Sequence, residues 1–193
     1  MKQIQRIIFI ILCLSPLTAF TQELSLKILN EVKVFVEKDR TAIALESADL
    51  NGDGTKDYIL VTEKTKPQPT DDDNDDSRSL LILIRDRAGK LTLAARNEKI
   101  VYCRSCGGAY GDPFDGVEAN RKSFTVYNYG GSWQRWGDYY QFNYSRRDRT
   151  WQLVFVQKIN YDSHYADKVK TKKFTPKKFG KIDIANFNPA AIP

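Results

Sequence analysis

The chain has 193 residues, and its 30 lysine and arginine residues outnumber its 24 aspartate and glutamate residues, so the formal net charge is +6. This length predicts one domain, or at most two small ones. The single histidine and three cysteines nearly exclude a zinc site built from histidine and cysteine ligands.

The N-terminus has the pattern of a secretory signal peptide, which we place at 1–21. Lys2 and Arg6 precede a short apolar run and then small residues. The run is too short for a permanent membrane span. We therefore expect an exported protein, periplasmic or extracellular, with lipid anchoring at Cys13 as the less favoured alternative. Loss of the two basic residues lowers the net charge from +6 to about +4.

An acidic loop at 49–57 lies between two predicted strands, 41–48 and 58–63. Its oxygen donors follow the spacing that calcium, a hard cation with oxygen ligands, requires. They are Asp49, Asn51, Asp53, the carbonyl of Thr55, and Asp57. Gly54 occupies the sixth place, where we expect a sharp turn and a clash for any Cβ atom. We predict a structural calcium ion here; the alternative is an Asx-rich turn closed by its own hydrogen bonds.

The loop departs from an EF-hand, because Leu60 replaces the glutamate at the twelfth place and a strand follows. The pattern D-x-N-x-D-G-x-x-D instead resembles the calcium loop of FG-GAP/VCBS-type β-propeller blades. Such blades are known from integrin α chains and many secreted bacterial proteins. The resemblance covers one blade's worth of chain and implies a strand–loop–strand setting around calcium.

Alternating apolar and polar residues predict several further strands. They lie at 79–86, 91–95, 124–127, 139–144 and 151–159. The loop at 64–77, with its acidic run 71–76, is predicted to separate the early strands. In the last strand we expect four side chains on one face: Trp151, Leu153, Phe155 and Ile159.

These elements predict a mainly β protein with antiparallel meander sheets, as two blade-like sheets packed together in a propeller-like or sandwich-like way. We assign a calcium-loop β domain to 22–161, with a short N-terminal segment at 24–36 that is either a helix or an edge strand. The tail, 162–193, is predicted to be a basic arm that packs its aromatic residues on the sheet and leaves its lysines in water.

Cys103 and Cys106 form a C-x-x-C motif. Two readings are open for such a pair, a redox site and a structural disulfide. Gly-Gly follows the motif, and the flanking segments are β rather than βαβ. We therefore predict a disulfide that pins a loop in an oxidising compartment.

Two glycine-rich motifs follow the early strands: C-G-G-x-x-G-D-P-F at 106–114 and G-G-S-x-x-R-W at 130–136. Together with the acidic loop they resemble a group of uncharacterised exported bacterial proteins, a resemblance that spans most of the mature chain and implies no activity. Trp133, Arg135 and Trp136 could form a stacking platform for sugars or planar groups, with Asp112 facing it. The alternative is a β-turn whose tryptophans cover the sheet.

We expect an exported, calcium-stabilised β-protein that binds or scaffolds at the cell envelope without catalysis. An envelope glycan or protein is the expected partner, and export argues against nucleic acid. The alternative is an envelope hydrolase acting on glycan or peptide. Its candidate acids are Asp112, Asp115, Glu118 and Asp138, although their spacing singles out no pair.

Overall fold

The structure is a computed structural model that describes three stretches of the chain: residues 30–65, 77–165 and 168–192. The predicted signal peptide and the acidic run at 71–76 lie outside the described residues. The chain divides into two units, Met1–Val34 and Phe35–Pro193, and the strands named below belong to the second. The sequence left the segment 24–36 as either a helix or an edge strand, and its residues 30–33 are helical.

The first sheet is an antiparallel meander of four strands in the order β1-β2-β3-β4. Its strands are β1 (Arg40–Ala48), β2 (Asp57–Lys64), β3 (Ser79–Arg85) and β4 (Leu91–Asn97). The two central strands are buried along nearly their whole length. This burial matches their continuous apolar runs.

The second sheet is also antiparallel and has five strands in the order β5-β6-β7-β8-β9. They are β5 (Phe114–Asn120), β6 (Ser123–Gly131), β7 (Gln134–Ser145), β8 (Thr150–Asp162) and β9 (Lys170–Phe174). Side chains of β6 alternate strictly between buried and half-buried. One face of this sheet therefore packs on the core and the other faces water.

One hydrophobic core receives side chains from both sheets. The first sheet contributes Ile59, Val61, Leu80 and Ile82, and the second contributes Phe124, Val126, Tyr140 and Phe142. Two sheets that share a core in this way form a sandwich-like arrangement. In the described part of the chain neither sheet closes into a barrel. The predicted mainly β, antiparallel fold is confirmed.

Strand β8 contains a β-bulge that the sequence pattern does not reveal. Val154 is the extra residue, because its neighbours Leu153 and Phe155 pair with consecutive residues of β7. The bulge changes which side chains face the core. Val156 is buried with Leu153, whereas Phe155 lies on the opposite face with Ile159. The prediction that Trp151, Leu153, Phe155 and Ile159 share one face is therefore wrong.

The C-terminal tail closes one end of the core. Ile184, Phe187 and Ile192 are buried, and Phe174 and Phe179 pack against the core cluster. Asn97 of β4 holds the tail, because its Nδ2 donates to the carbonyls of Ile184 and Phe187 at 2.7 and 2.8 Å. The lysines of the tail from position 168 onward are exposed. The predicted packing of apolar residues with solvated lysines is confirmed.

Candidate calcium loop and aromatic surface

The loop between β1 and β2 also contacts the second sheet. Leu50 is fully buried, and its carbonyl accepts a hydrogen bond from Trp151 Nε1 at 3.0 Å. The carbonyl of Asp49 accepts one from the backbone nitrogen of Lys122, in the turn between β5 and β6, at 2.9 Å. The conformation of this loop therefore bears on how the two sheets meet.

Asp57 closes the loop from inside. It is fully buried at the start of β2, where it pairs with Ala48. Its Oδ2 accepts from the backbone nitrogen of Leu50, and its Oδ1 accepts from that of Arg85, each at 2.9 Å. Burial raises the pKa of the Asp57 carboxyl, although these backbone hydrogen bonds oppose the rise.

Three other predicted ligands are joined by short hydrogen bonds within the loop. Asp53 accepts from both the backbone nitrogen and the hydroxyl of Thr55, at 2.8 and 2.5 Å. Its other oxygen accepts from Asn51 Nδ2 at 2.8 Å, while its own backbone nitrogen donates to Asn51 Oδ1 at 2.9 Å. These are the bonds of an Asx-rich turn, the alternative to a calcium site in the sequence analysis.

The glycines of the loop are required for a reason other than the predicted one. Gly54 has a φ of +92°, and a Cβ atom there would meet no heavy atom within 4 Å. The predicted clash is therefore wrong, and the backbone conformation alone favours glycine. At Gly52, with φ of +76°, a Cβ atom would also lie 1.9 Å from the side-chain Cε of Lys122.

Asp49 carries the one feature of the loop that its own hydrogen bonds leave unexplained. Its Oδ2 accepts from the backbone nitrogen of Gly54 at 3.2 Å and from Arg121 Nε at 3.1 Å. Its Oδ1 is buried and has no hydrogen-bond partner among the described residues. A buried carboxylate oxygen without a donor is costly, so it calls for a cation or an ordered water.

The donor set fits calcium by its chemistry. The five predicted donors are all oxygens. Each of the four side chains keeps an oxygen that accepts at most one of the hydrogen bonds above, and an oxygen with two lone pairs then remains able to bind an ion. Over the described ranges, however, no three Asp, Glu, His or Cys side chains are grouped as a metal site. The ligand set Asp49, Asn51, Asp53, Thr55 and Asp57 therefore stays a prediction.

The C-x-x-C motif belongs to a short 3₁₀ segment, Arg104–Tyr110, ahead of β5. Cys103 and Cys106 are joined by a disulfide, as predicted. The glycines of both motifs pack backbone against backbone. A Cβ atom on Gly130 would lie 2.9 Å from the Cα of Gly107, and one on Gly107 would lie 3.1 Å from the nitrogen of Pro113. The two motifs are thus halves of one contact.

Asp112 belongs to a network of charges around the buried Arg78 instead of a ligand platform. Both of its oxygens accept hydrogen bonds from Arg78 at 2.6 Å. Arg78, 1% exposed, also donates to Glu63, which pairs in turn with Arg104. Burial raises the pKa of Asp112, but the hydrogen bonds from Arg78 and from the backbone of Phe114, together with the charges of Arg78 and Arg104, lower it more in sum, so the pKa of the carboxyl falls below its usual value.

Trp136 and Arg135 lie on opposite faces of β7, because they are consecutive residues of one strand. Trp136 faces inward and packs on Tyr102, with ring centroids 5.6 Å apart. The hydroxyl of Tyr102 lies 2.7 Å from both Asp138 Oδ2 and the hydroxyl of Tyr140. Burial, followed by these neighbours, raises the pKa of Tyr102 and keeps it protonated.

Arg135 faces outward, away from this network. Its guanidinium stacks over the ring of Tyr110, 4.9 Å from the centroid. Trp133 is 56% exposed in the turn between β6 and β7. The structure thus brings Trp133 and Arg135 to one end of the outer face, and it places Trp136 and Asp112 elsewhere. The four residues do not form one platform, and ligand binding by any of them stays a prediction.

The acids proposed for a hydrolase are dispersed among these settings. Asp112 pairs with Arg78, and Asp138 accepts the hydroxyl of Tyr102. Hydrogen bonds from Asn120 and Tyr127 lower the pKa of Glu118, although a general acid needs a raised one. His164 is exposed and bonds Asp162 at 3.0 Å. The hydrolase alternative stays an untested prediction.

A set of tyrosines on the outer face of the second sheet was not among the predicted site residues. Tyr129, Tyr139 and Tyr161 come from three adjacent strands and surround one groove. The available signal was the spacing of tyrosines two apart, as at Tyr127 and Tyr129. That spacing marks one face of a strand but does not indicate which strands are neighbours.

Comparison with protein-family models and with curated proteins finds no match for this chain. The resemblances to FG-GAP/VCBS blades and to the exported bacterial group therefore remain expectations from motifs. Among the described residues, no helix is both long and apolar enough to cross a membrane.

Proposed function

We propose that this protein is an exported, calcium-stabilised β-protein that binds a partner at the cell envelope and does not catalyse a reaction. The observation that carries the proposal is the unpartnered, buried Oδ1 of Asp49. It lies in a loop of predicted oxygen ligands between the two sheets. An ion at that oxygen would complete the loop and stabilise the contact with the second sheet.

The setting of the loop supports a structural role for the ion. The carbonyls of Asp49 and Leu50 accept hydrogen bonds from residues at the second sheet. Calcium tolerates irregular geometry and suits a loop whose ligands come from one short segment. Removing the ion would therefore loosen the junction of the sheets rather than a reaction centre.

The distribution of exposed aromatic side chains supports a binding role. Tyr110, Trp133 and Tyr165 are each more than half exposed, and all three lie at one end of the second sheet. Among the described residues, the buried acids Glu63 and Asp57 are paired with arginine or bonded to backbone N–H groups, and the half-buried Asp138 accepts from a tyrosine hydroxyl. Exposed rings at one end suit recognition of a partner surface.

Calcium binding is tested by melting the protein with added calcium and with a chelator. At a calcium concentration of about 100 times the dissociation constant, binding stabilises the folded state by about 2.7 kcal/mol. For a domain of this size, we expect the melting temperature to fall by roughly 5–10 °C on chelation. The Asp53→Ala variant should respond hardly at all.

A matched variant separates the loop from general charge effects. Asp39→Ala removes an exposed aspartate outside the loop, and it should keep the full response of the wild type to chelation. Equal responses of the wild type and Asp53→Ala would contradict the calcium site. Calorimetric titration with calcium then gives the stoichiometry, which we expect to be one ion per chain.

A further inference from the structure

The outer face of the second sheet contains a groove of about 400 Å³. It is lined by Tyr129, Tyr139, Ile159, Tyr161 and Val169. The first four come from strands β6, β7 and β8, and the last precedes β9. Because rigid strands carry most of its walls, the groove holds its shape without a ligand.

Gly137 is buried beneath the groove. It pairs with Tyr129 on one side and Ile159 on the other, so the central strand has no side chain where both neighbours carry large ones. A Cβ atom at this position would lie 3.3 Å from the hydroxyl of Tyr139. The ring of Tyr139 therefore lies over Gly137, and glycine at position 137 gives this ring the room to line the groove.

Two hydroxyl groups meet across the central strand. Tyr129 on β6 and Tyr161 on β8 lie with their hydroxyl oxygens 2.6 Å apart. One hydroxyl donates to the other, which leaves the second O–H free to donate to a ligand. The hydrogen bond with Tyr161, followed by burial, raises the pKa of Tyr129 to about 12, so the Tyr129 hydroxyl stays protonated near neutral pH.

A guanidinium lies beside these hydroxyls. Arg135 pairs directly with Tyr161 in the sheet and stacks on Tyr110, whose ring packs against that of Tyr129 at 5.0 Å. Within the described chain, the guanidinium donates to the carbonyl of Gly131 at 3.4 Å and pairs with no carboxylate. Its planar fork therefore has donors to offer a ligand anion.

Charge is distributed unevenly along the groove. Lys168 and Lys170 flank Val169 and are exposed. Two acids act on this face. The negative charge of Asp115 contributes, after burial, to raising the pKa of Tyr139, and Glu118 accepts from the hydroxyl of Tyr127, whose ring packs on Tyr139. Arg135 and Asp115 belong to different ends of the tyrosine cluster. An anionic group would therefore be placed toward Arg135, and neutral hydroxyls toward Tyr139.

We propose that this groove binds a pyranose residue bearing a carboxylate, as part of an acidic glycan. The apolar face of the sugar ring stacks on the tyrosine rings above Gly137. The Tyr129–Tyr161 pair donates to a ring hydroxyl, and Arg135 binds the carboxylate. Exposed Trp133 and Tyr165 extend the aromatic surface to neighbouring sugars. This inference rests on the proposed binding role and names its ligand class.

The test is calorimetric titration of the full mature chain with a hexamer of galacturonate, in buffer containing calcium. We expect saturable binding that weakens about tenfold or more in Arg135→Gln, because a charge-assisted hydrogen bond is lost. Gly137→Ala should weaken it by a similar factor, because the new methyl group would push against the ring of Tyr139, which lines the groove. A neutral glucan hexamer should bind the wild type about tenfold more weakly.

Arg146→Gln is the matched control. Arg146 is exposed in the turn between β7 and β8, at the opposite end of β7 from Arg135. Its loss should change the affinity by no more than about twofold. Equal losses in Arg135→Gln and Arg146→Gln, or equal binding of polyglutamate, would show general attraction of anions and overturn the proposal. Melting curves establish that each variant is folded.

These titrations and melting curves also distinguish the glycan groove from the proposed function. If the galacturonate hexamer does not bind to a protein whose melting temperature still depends on calcium, the glycan groove alone is overturned. Tighter binding of the neutral hexamer than of galacturonate overturns the acidic ligand class and leaves the envelope-binding role. Undiminished binding by Gly137→Ala overturns the location.

Discussion

The inner and outer faces of the second sheet treat polar groups in different ways. On the inner side, Tyr102, Tyr140 and Asp138 bond to one another, and Asp112 is held by the buried Arg78. On the outer face, Arg135 and the Tyr129–Tyr161 pair keep donors that point to water. Satisfied groups specify how the chain packs, whereas groups with donors to spare are able to recognise a partner.

Replacement of Arg78 gives the largest expected effect on this comparison. Arg78→Met leaves Glu63 and Asp112 without their buried cation, so we expect a loss of about 3–5 kcal/mol in the free energy of unfolding. Urea denaturation measures the loss. Arg135→Met on the outer face should cost about 1 kcal/mol or less, the value of an exposed cation–π contact. Similar losses in the two variants would remove the distinction between the faces.

Reduction of the disulfide should give the next largest effect. The Cys103–Cys106 bond closes a loop of a few residues, for which the chain-entropy relation gives about 2 kcal/mol. Urea midpoints with and without reductant measure it. The double variant Cys103→Ser, Cys106→Ser should have the same urea midpoint as the reduced protein, and reductant should not change that midpoint. The affinity for the glycan should change less than the free energy of unfolding, because Tyr110 is the residue of this loop whose ring packs on the outer face.

Acid should weaken the network around Asp112. The pKa of Asp112 is lower in the folded state than its unfolded value of about 3.9. Its ionised form therefore contributes stability above that value, and the contribution is lost as pH falls through the folded pKa. Because the side chain is 45% exposed, the effect is modest. The difference in unfolding free energy between wild type and Asp112→Asn should shrink between about pH 5 and pH 2; a constant difference would contradict it.

Removal of one hydroxyl on the outer face should have the smallest effect on stability. Tyr161→Phe breaks the hydroxyl pair at a half-exposed site, so we expect a change of about 0.5–1 kcal/mol or less. The same variant should bind the galacturonate hexamer measurably more weakly than the wild type. Tyr140→Phe on the inner face is the comparison, because it breaks a buried bond and should cost more stability without affecting the glycan.

Much of the fold was predictable because its signals are local. Apolar and alternating patterns located seven strands, but β5 and β9 were not predicted. The spacing of Cys103 and Cys106 indicated a disulfide, which the structure contains. The acidic loop was recognisable between its two strands. These features depend on residues close together in the chain, where propensity and spacing carry information.

The site residues were less predictable because they depend on long-range pairing. Arg78 meets Asp112 across 34 positions, and nothing near either residue indicates the other. Tyr129 and Tyr161 meet across 32 positions only because β7 lies between their strands. The bulge at Val154 depends on how β7 and β8 pair, so a strict alternation rule misassigned Phe155 and Ile159.

The bulge at Val154 also makes one position in β8 tolerant of a change in chain length. Since Val154 is the surplus residue, its deletion would leave Leu153 and Val156 turned inward and Tyr161 turned outward. Deleting Gln157 instead would move every side chain from Lys158 to the end of the strand to the opposite face of the sheet. Tyr161 would then face the core, and the side chains that now face inward would face water. Natural or engineered chains with a shorter β8 should therefore lose their residue at 154, and the outer face of the second sheet would persist unchanged.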